Sequence, residues 1–296
     1  MEEIAHEVAV VTMIIANAYL VGNSRNWVLV DSGTPGNAGK IKEAAEARFG
    51  PGAKPRAILL THGHFDHAGS APDLAREWNV RVYTHRLEWP YLSGKSSYPP
   101  HDPTAPGFFS FLVRFFPSST VDLGERLEEL ANNLPALGLE DWQVLFTPGH
   151  TPGHVAFYRQ RDGVLLAGDA LTTTNLDNVF DTLLKRKQVC RPPAAATPDW
   201  QQARRSVQLL AGLRPKVIGA GHGSPMQSAA DELQALANRF PIPSHGRYVR
   251  EAARADESGI TYLPPPPFDP VPKIAAGVAA AAVLAGAAVL KKRRRF

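Results

Sequence analysis

The chain has 296 residues, 44% hydrophobic and 20% charged, which is the balance of a globular protein with a sizeable core. Its formal charge of +4 is local: Lys291, Lys292, Arg293, Arg294 and Arg295 supply five positive charges, and without them the value is −1. A near-neutral body carries no electrostatic footprint for nucleic acid, and a single cysteine, Cys190, excludes an intrachain disulfide.

In chain order, residues 8–30 read as strands. Val8 to Ile15 is rich in β-branched residues, Trp27-Val28-Leu29-Val30 is a second apolar run, and Gly22-Asn23-Ser24 marks a turn. Met1-Glu2-Glu3 has no basic residue and the first run is short, so it reads as a strand rather than a signal peptide. Residues 37–49 are predicted helical, closed by Gly50-Pro51. A short strand, Ala57 to Leu60, runs into a histidine cluster; a helix over 70–78 and a strand over Val80 to Tyr83 follow. Residues 90–120 are rich in Pro, Gly and Phe and read as a long loop or irregular insertion. Strands are then expected at Val144 to Phe146, Val155 to Tyr158, Val164 to Ala167 and Lys216 to Gly219. Thr197-Pro198 reads as a helix start, a capping hydroxyl followed by proline, with that helix running to Leu210. A further helix is expected over 227–239.

The chemistry concentrates in Thr61-His62-Gly63-His64-Phe65-Asp66-His67. Imidazole and carboxylate groups are good ligands for zinc and other divalent metals, and a tight loop after a strand can aim several at one point. The pattern of apolar strand, glycine, then ligand type recurs at His150, Asp169 and His222. Seven candidate ligands suffice for two metals. His6, His85, His101 and His245 have no such context and read as surface or packing residues, and Cys190 as a partly buried small residue.

These residues, in this order, resemble the metallo-β-lactamase superfamily, whose H-x-H-x-D-H motif is followed by a distal His, an Asp and a last His. The resemblance spans roughly residues 8–240. It implies an α+β fold, a four-layer αββα sandwich with the site at one edge. It implies that His62, His64 and His150 hold one metal, that Asp66, His67 and His222 hold the other, and that Asp169 bridges them. Asp31 and His154 match positions that support the ligands from outside, and Asp66 also matches a group that orients the nucleophile. The implied activity is metal-dependent hydrolysis of an ester, thioester or lactone by a hydroxide shared between two divalent ions, zinc by default, iron or manganese otherwise. The Asp at 169 points toward glyoxalase II and lactonase types and away from true β-lactamases. A mononuclear iron persulfide dioxygenase, a phosphodiesterase or nuclease, and a non-catalytic relative are the alternatives. Arg247, Tyr248 and Arg250 are of a type that holds glutathione, but no motif supports that use and packing explains them. The substrate is expected to be a small molecule.

The catalytic domain is expected over residues 1–263, followed by a stiff linker over 264–273 carrying Pro264-Pro265-Pro266-Pro267. Residues 274–296 then form an Ala-rich apolar helix ending in the basic cluster. Its apolar part spans roughly 25 Å as a helix, short of the ~30 Å hydrocarbon core. It reads as a membrane-associated tail, either a transmembrane helix or one lying on the cytoplasmic surface, with the catalytic domain in the cytoplasm; a disordered or soluble Ala-rich helix is the alternative. The insertion Pro106 to Pro117 holds five phenylalanines and reads either as an apolar lid or membrane patch, or as a short buried helix.

Overall fold

Alternation of side chains along the strands divides the core into three layers of contact. The computed structural model describes residues 1–116, 121–130, 134–269 and 271. The chain separates into two units, Met1–Pro264 and Pro265–Phe296, and the elements described below belong to the first. One sheet runs in sequence order: β1 (Glu2–Ala5), β2 (Val8–Thr12), β3 (Asn17–Asn23), β4 (Asn26–Val30), β5 (Ala57–Leu59), β6 (Arg81–Thr84) and β7 (Leu127–Glu129). Its first four strands pair antiparallel and β4 to β7 pair parallel. The second sheet comprises β8 (Trp142–Phe146), β9 (Val155–Arg159), β10 (Val164–Leu166), β11 (Val217–Gly219) and β12 (Met226–Gln227), in the order β12-β11-β10-β9-β8. A hairpin, β13 (Arg254–Asp256) with β14 (Gly259–Tyr262), stands apart from both.

Helices α1 (Ala38–Phe49), α2 (Phe65–Ala68) and α3 (Ala71–Trp78) lie between β4 and β6 in the chain. Helices α4 (Trp89–Leu92) and α5 (Phe108–Leu112) precede β7, while α6 (Val179–Leu183), α7 (Trp200–Gly212) and α8 (Ala230–Arg239) belong to the second half. Leu20, Leu29 and Ile58 pack outward on Ile41 of α1 and Leu74 and Trp78 of α3. Their strand neighbours Tyr19, Val21, Val28, Val30 and Leu59 point the other way, onto Val155, Phe157, Val164 and Leu166 of the second sheet. That sheet turns Tyr158, Leu165 and Ile218 onto Trp200, Val207 and Leu210 of α7 and Leu233 of α8. The layers are therefore helix, sheet, sheet, helix, as the expected αββα sandwich requires. Each fully buried Leu, Ile or Val contributes roughly 1.5–3 kcal/mol of transfer free energy.

Several local expectations need correction. β2 ends at Thr12, and Ile14 and Ile15 project from the turn before β3 instead of continuing the strand. β1 carries two glutamates, which hid its edge-strand character. The helix after Pro198 starts two residues later than its hydroxyl suggested: Asp199 is the cap and its carboxylate accepts from Gln202 N at 2.9 Å. Of the stretch 90–120, the described residues include α5 and the end of α4, so it is an irregular insertion with short helices rather than an unbroken loop. The Phe-rich helix is not the buried one considered, because Phe111 and Phe115 stay exposed. The Ala-rich tail over 274–296 lies outside the described residues. Among the described residues no helix is long and apolar enough to cross a membrane.

Candidate metal centre

All seven ligand candidates meet at one edge of the sandwich, on loops that leave strand ends. Asp31 follows β4 with φ at +59°, a left-handed conformation that aspartate tolerates better than most residues. Its carboxylate organises the neighbouring loop. Oδ1 accepts from Thr61 N and Oδ2 from Thr61 Oγ1, both at 2.8 Å, and His67 Nδ1 donates to Oδ2 at 2.9 Å. With its hydroxyl proton given to Asp31, Thr61 Oγ1 accepts from His62 Nδ1 at 3.0 Å. His222 Nδ1 donates to the Ile15 carbonyl at 2.8 Å. Three rings are thus held by a proton on Nδ1 with Nε2 facing the centre.

The first group is His62, His64 and His150. His62 Nε2 lies 3.1 Å from His64 Nδ1, which lies 3.0 Å from His150 Nε2. Burial, with the neighbouring imidazoles adding to it, holds His62 and His64 well below the usual histidine range. Burial brings His150 down to about 3. Three neutral rings aimed at one point from hydrogen-bonding distance suit a shared cation, which would take a lone pair from each.

Asp66, His67 and His222 form the second group. His222 Nε2 is 3.4 Å from Asp66 Oδ2, and His67 Nε2 is 4.0 Å from it. Asp169 stands between the groups: its Oδ2 is 3.5 Å from His150 Nε2 and 3.1 Å from His222 Nε2, and its Oδ1 is 3.5 Å from His67 Nε2. His67 Nε2 and Asp169 Oδ1 are buried without a hydrogen-bond partner, a costly condition that a metal ion would relieve. Burial opposes charge on Asp169, but the His222 and His67 imidazoles override it and hold the carboxyl well below its ordinary value. Burial also opposes charge on His67 and His222, and there Asp169 wins and raises both. Gly221 makes the room: a Cβ there would sit 2.1 Å from Asp169 Oδ1 and 2.5 Å from His67 Cε1.

His154 is brought to the same place but its ring is fully engaged elsewhere. Its Nε2 accepts from Asp169 N at 2.9 Å, so Nδ1 carries the proton and donates to Thr147 Oγ1 at 2.8 Å. Burial holds it at about 3, hence neutral. Removing it as His154→Ala frees the Asp169 backbone, and metal affinity measured by chelator competition is expected to fall about 10- to 100-fold. Unchanged affinity would refute this positioning.

Three neighbours had no sequence signal. Glu88, wholly buried, accepts from Gly63 N at 3.0 Å and Gly153 N at 2.6 Å, and also from the Tyr98 hydroxyl. The Tyr98 ring stands 4.6 Å from the His64 ring. His101, expected at the surface or in packing, lies with its ring 5.6 Å from His64 and next to Phe116. His85 does pack, stacked on Phe146 at 4.6 Å. Tyr248 is buried with its hydroxyl on the Pro100 carbonyl at 2.7 Å, and Arg247 Nε donates to the Pro264 carbonyl at 2.7 Å, so both brace the chain rather than present a binding face. Burial pushes the Cys190 thiol up to about 12, which leaves no thiolate for a nucleophilic role.

The chain is similar to several known proteins. A family model described as the metallo-beta-lactamase superfamily matches residues 11–222. A probable metallo-hydrolase of Bacillus subtilis (strain 168), YflN, is 39% identical over 244 residues, covering 80% of this chain and 92% of that protein. A hydroxyacylglutathione hydrolase of Methylobacillus flagellatus is 32% identical over 160 residues, covering 52% of this chain and 50% of that protein. The crystal structure of TTHA1623 in a di-iron-bound form is 26% identical with a TM-score of 0.52, covering 79% of this chain and 99% of that one. With its layered sheets, its converging histidines and a family match across most of its length, this chain belongs to the metallo-beta-lactamase superfamily.

Proposed function

We propose that the chain is a binuclear metal-dependent hydrolase that cleaves an ester, thioester or lactone bond in a small molecule. The observation that carries this reading is the position of Asp169 Oδ2 between two ligand groups, each offering three side chains. Two divalent ions bound there supply a water deprotonated near pH 7 and a Lewis acid for the substrate oxygen. The residues do the rest. His62, His64 and His150 present neutral lone pairs with no proton to displace. Asp31 and the Ile15 carbonyl fix the rings of His67 and His222. Asp66, the more exposed of the two central carboxylates, would give Oδ2 to the second group and keeps its other oxygen to orient the nucleophile and accept its proton. Phe65 and Phe116, in ring contact at 5.6 Å, put an apolar wall beside the ligand loop.

Histidine and carboxylate donors favour zinc, while the di-iron form of TTHA1623 supports iron as an occupant of a similar site. The hydroxyacylglutathione hydrolase relative supports the thioester class. Metal analysis of the purified protein, together with a hydrolysis screen over lactones, thioesters and phosphoesters, tests the reading. Two metals per chain with carboxylic ester or thioester turnover are expected. One iron per chain with oxygen-dependent turnover would overturn it. His64→Ala should keep the fold and lose activity by about a thousandfold or more; retained activity would sink the mechanism.

A further inference from the structure

Seven of the twelve large apolar side chains left exposed among the described residues come from three segments that border the ligand cluster. Scattered exposed apolar residues are normal, but a concentration at one edge marks a contact surface. The first segment is the β2–β3 turn, where Ile14 is fully exposed and Ile15 partly so, next to the Ile15 carbonyl that accepts from His222. The second is α5 and the turn after it, with Phe111 and Phe115, the latter 72% exposed. It is tied to the centre through Phe116, which meets Phe65 and His101. The third contains α6, with Phe180 at 68%, Leu183 at 72% and Leu184 also exposed. It begins at Thr173, whose N and Oγ1 donate to the His222 carbonyl, and it meets α5 where Phe108 N donates to the Asp177 carbonyl at 2.8 Å.

The charge on these segments is one-sided. Lys185, Arg186 and Lys187 follow Leu184 directly and are exposed. Of the acids nearby, Asp177 pairs with Arg191 at 2.9 Å, Asp181 is buried, and the exposed Glu232 of α8 accepts from Val189 N at 3.3 Å, so the three cations outnumber the one exposed acid. Arg186 alone reaches back, to Asp181 at 3.3 Å. A second copy of the chain would bring the same cations to the contact and be repelled. Exposed apolar side chains flanked by cations match the headgroup boundary of an anionic bilayer, where the apolar groups insert and the cations meet phosphate.

We infer that this rim of the metal centre docks on an anionic phospholipid surface, with Ile14, Phe115, Phe180, Leu183 and Leu184 entering the boundary layer and Lys185, Arg186 and Lys187 contacting phosphate. Docked this way, the centre opens toward lipid, and the substrate class it favours carries an acyl chain. That second part rests on the hydrolase reading; the docking does not.

The test is sedimentation of the full-length, metal-loaded protein with phosphatidylcholine vesicles, with and without about one-third phosphatidylglycerol. Binding to the anionic vesicles, weakened by salt, is expected. Phe180→Ser, Leu183→Ser and Leu184→Ser together should weaken it about a hundredfold. Lys185→Gln, Arg186→Gln and Lys187→Gln together should remove the preference for anionic lipid. Leu209→Ser, exposed on α7, should bind as the parent does. Because Lys291 to Arg295 are themselves basic, each variant is repeated with those five residues changed to Gln, and the rim substitutions should weaken binding in both backgrounds. Unaltered metal content in the rim variants reports an intact fold whatever the bond cleaved. Rim variants that bind like their parents, or a parent that ignores anionic vesicles, would overturn the docking. Loss of concentration-dependent dimerisation in the rim variants, with no vesicle binding by the parent, would assign the face to self-association instead. If docking holds and long-chain esters are cleaved no better than short ones, only the substrate inference fails.

Discussion

Replacing Asp169 with Asn is expected to leave the protein folded, reduce bound metal from two ions to one or fewer per chain, and cut kcat/KM by at least about a thousandfold. The substitution keeps the volume of the side chain and removes its charge. That charge matters because Asp169 is buried and is the carboxylate in reach of both groups, 3.5 Å from His150 Nε2 and 3.1 Å from His222 Nε2. Two dications a few ångströms apart repel strongly where water is scarce, and an anion between them offsets that repulsion. Asn also has no room to adjust. The Asp169 backbone is held by His154, and Gly221 is packed so closely against Oδ1 that a Cβ would not fit. Metal content by mass spectrometry, thermal melting and steady-state kinetics read the three effects separately. An Asn variant with two metals and parental turnover would remove the bridging role, and an unfolded one would make Asp169 a folding residue.

What was legible in the sequence depended on the distance over which each group finds its partners. His62, His64, Asp66 and His67 occupy one loop, so their spacing alone announces a metal. His150, Asp169 and His222 could be seen only as ligand types after a strand and a glycine, and the resemblance to a family was needed to join them. Glu88 carried no signal because it acts on Gly63 and Gly153, which lie 25 and 65 residues away. In the sequence it is an acid in an ordinary run, His85-Arg86-Leu87-Glu88. Its burial comes from tertiary packing, which no local pattern encodes. The layering was partly readable, since β3 and β4 alternate between the two cores. The three-residue strands β5, β10 and β11 are too short to show a period and appear only as apolar runs. Ile14 and Ile15 misled for the opposite reason: they have strand chemistry but stand exposed in a turn beside His222.

Glu88→Gln is the second large effect expected, and it separates positioning from packing. Both carboxylate oxygens accept from backbone N–H groups, Oε2 from Gly63 and Oε1 from Gly153. Gly63 sits between His62 and His64, and Gly153 lies three residues after His150, so one side chain ties together the two loops that form the first ligand group. An amide can accept at only one end. Its NH2 must face the other backbone N–H, leaving a buried donor unsatisfied at a cost of about 1–3 kcal/mol. For a protein of this size that corresponds to a fall in Tm of roughly 2–10 °C. The same displacement spreads His62, His64 and His150, and metal affinity is expected to fall about 10- to 100-fold, with the ion held by these three residues lost first. A purely structural Glu88 would lower Tm and leave metal affinity at the parental value. Titration of the apo protein with zinc against a competing chelator distinguishes the two, and the Tyr98→Phe variant provides the control. It removes the hydroxyl that donates to Glu88 and shares the Gly63 N–H, but leaves both Glu88 oxygens on their backbone donors, so it should lose stability without losing the ion. Parental affinity in Glu88→Gln would remove Glu88 from the assembly of the centre.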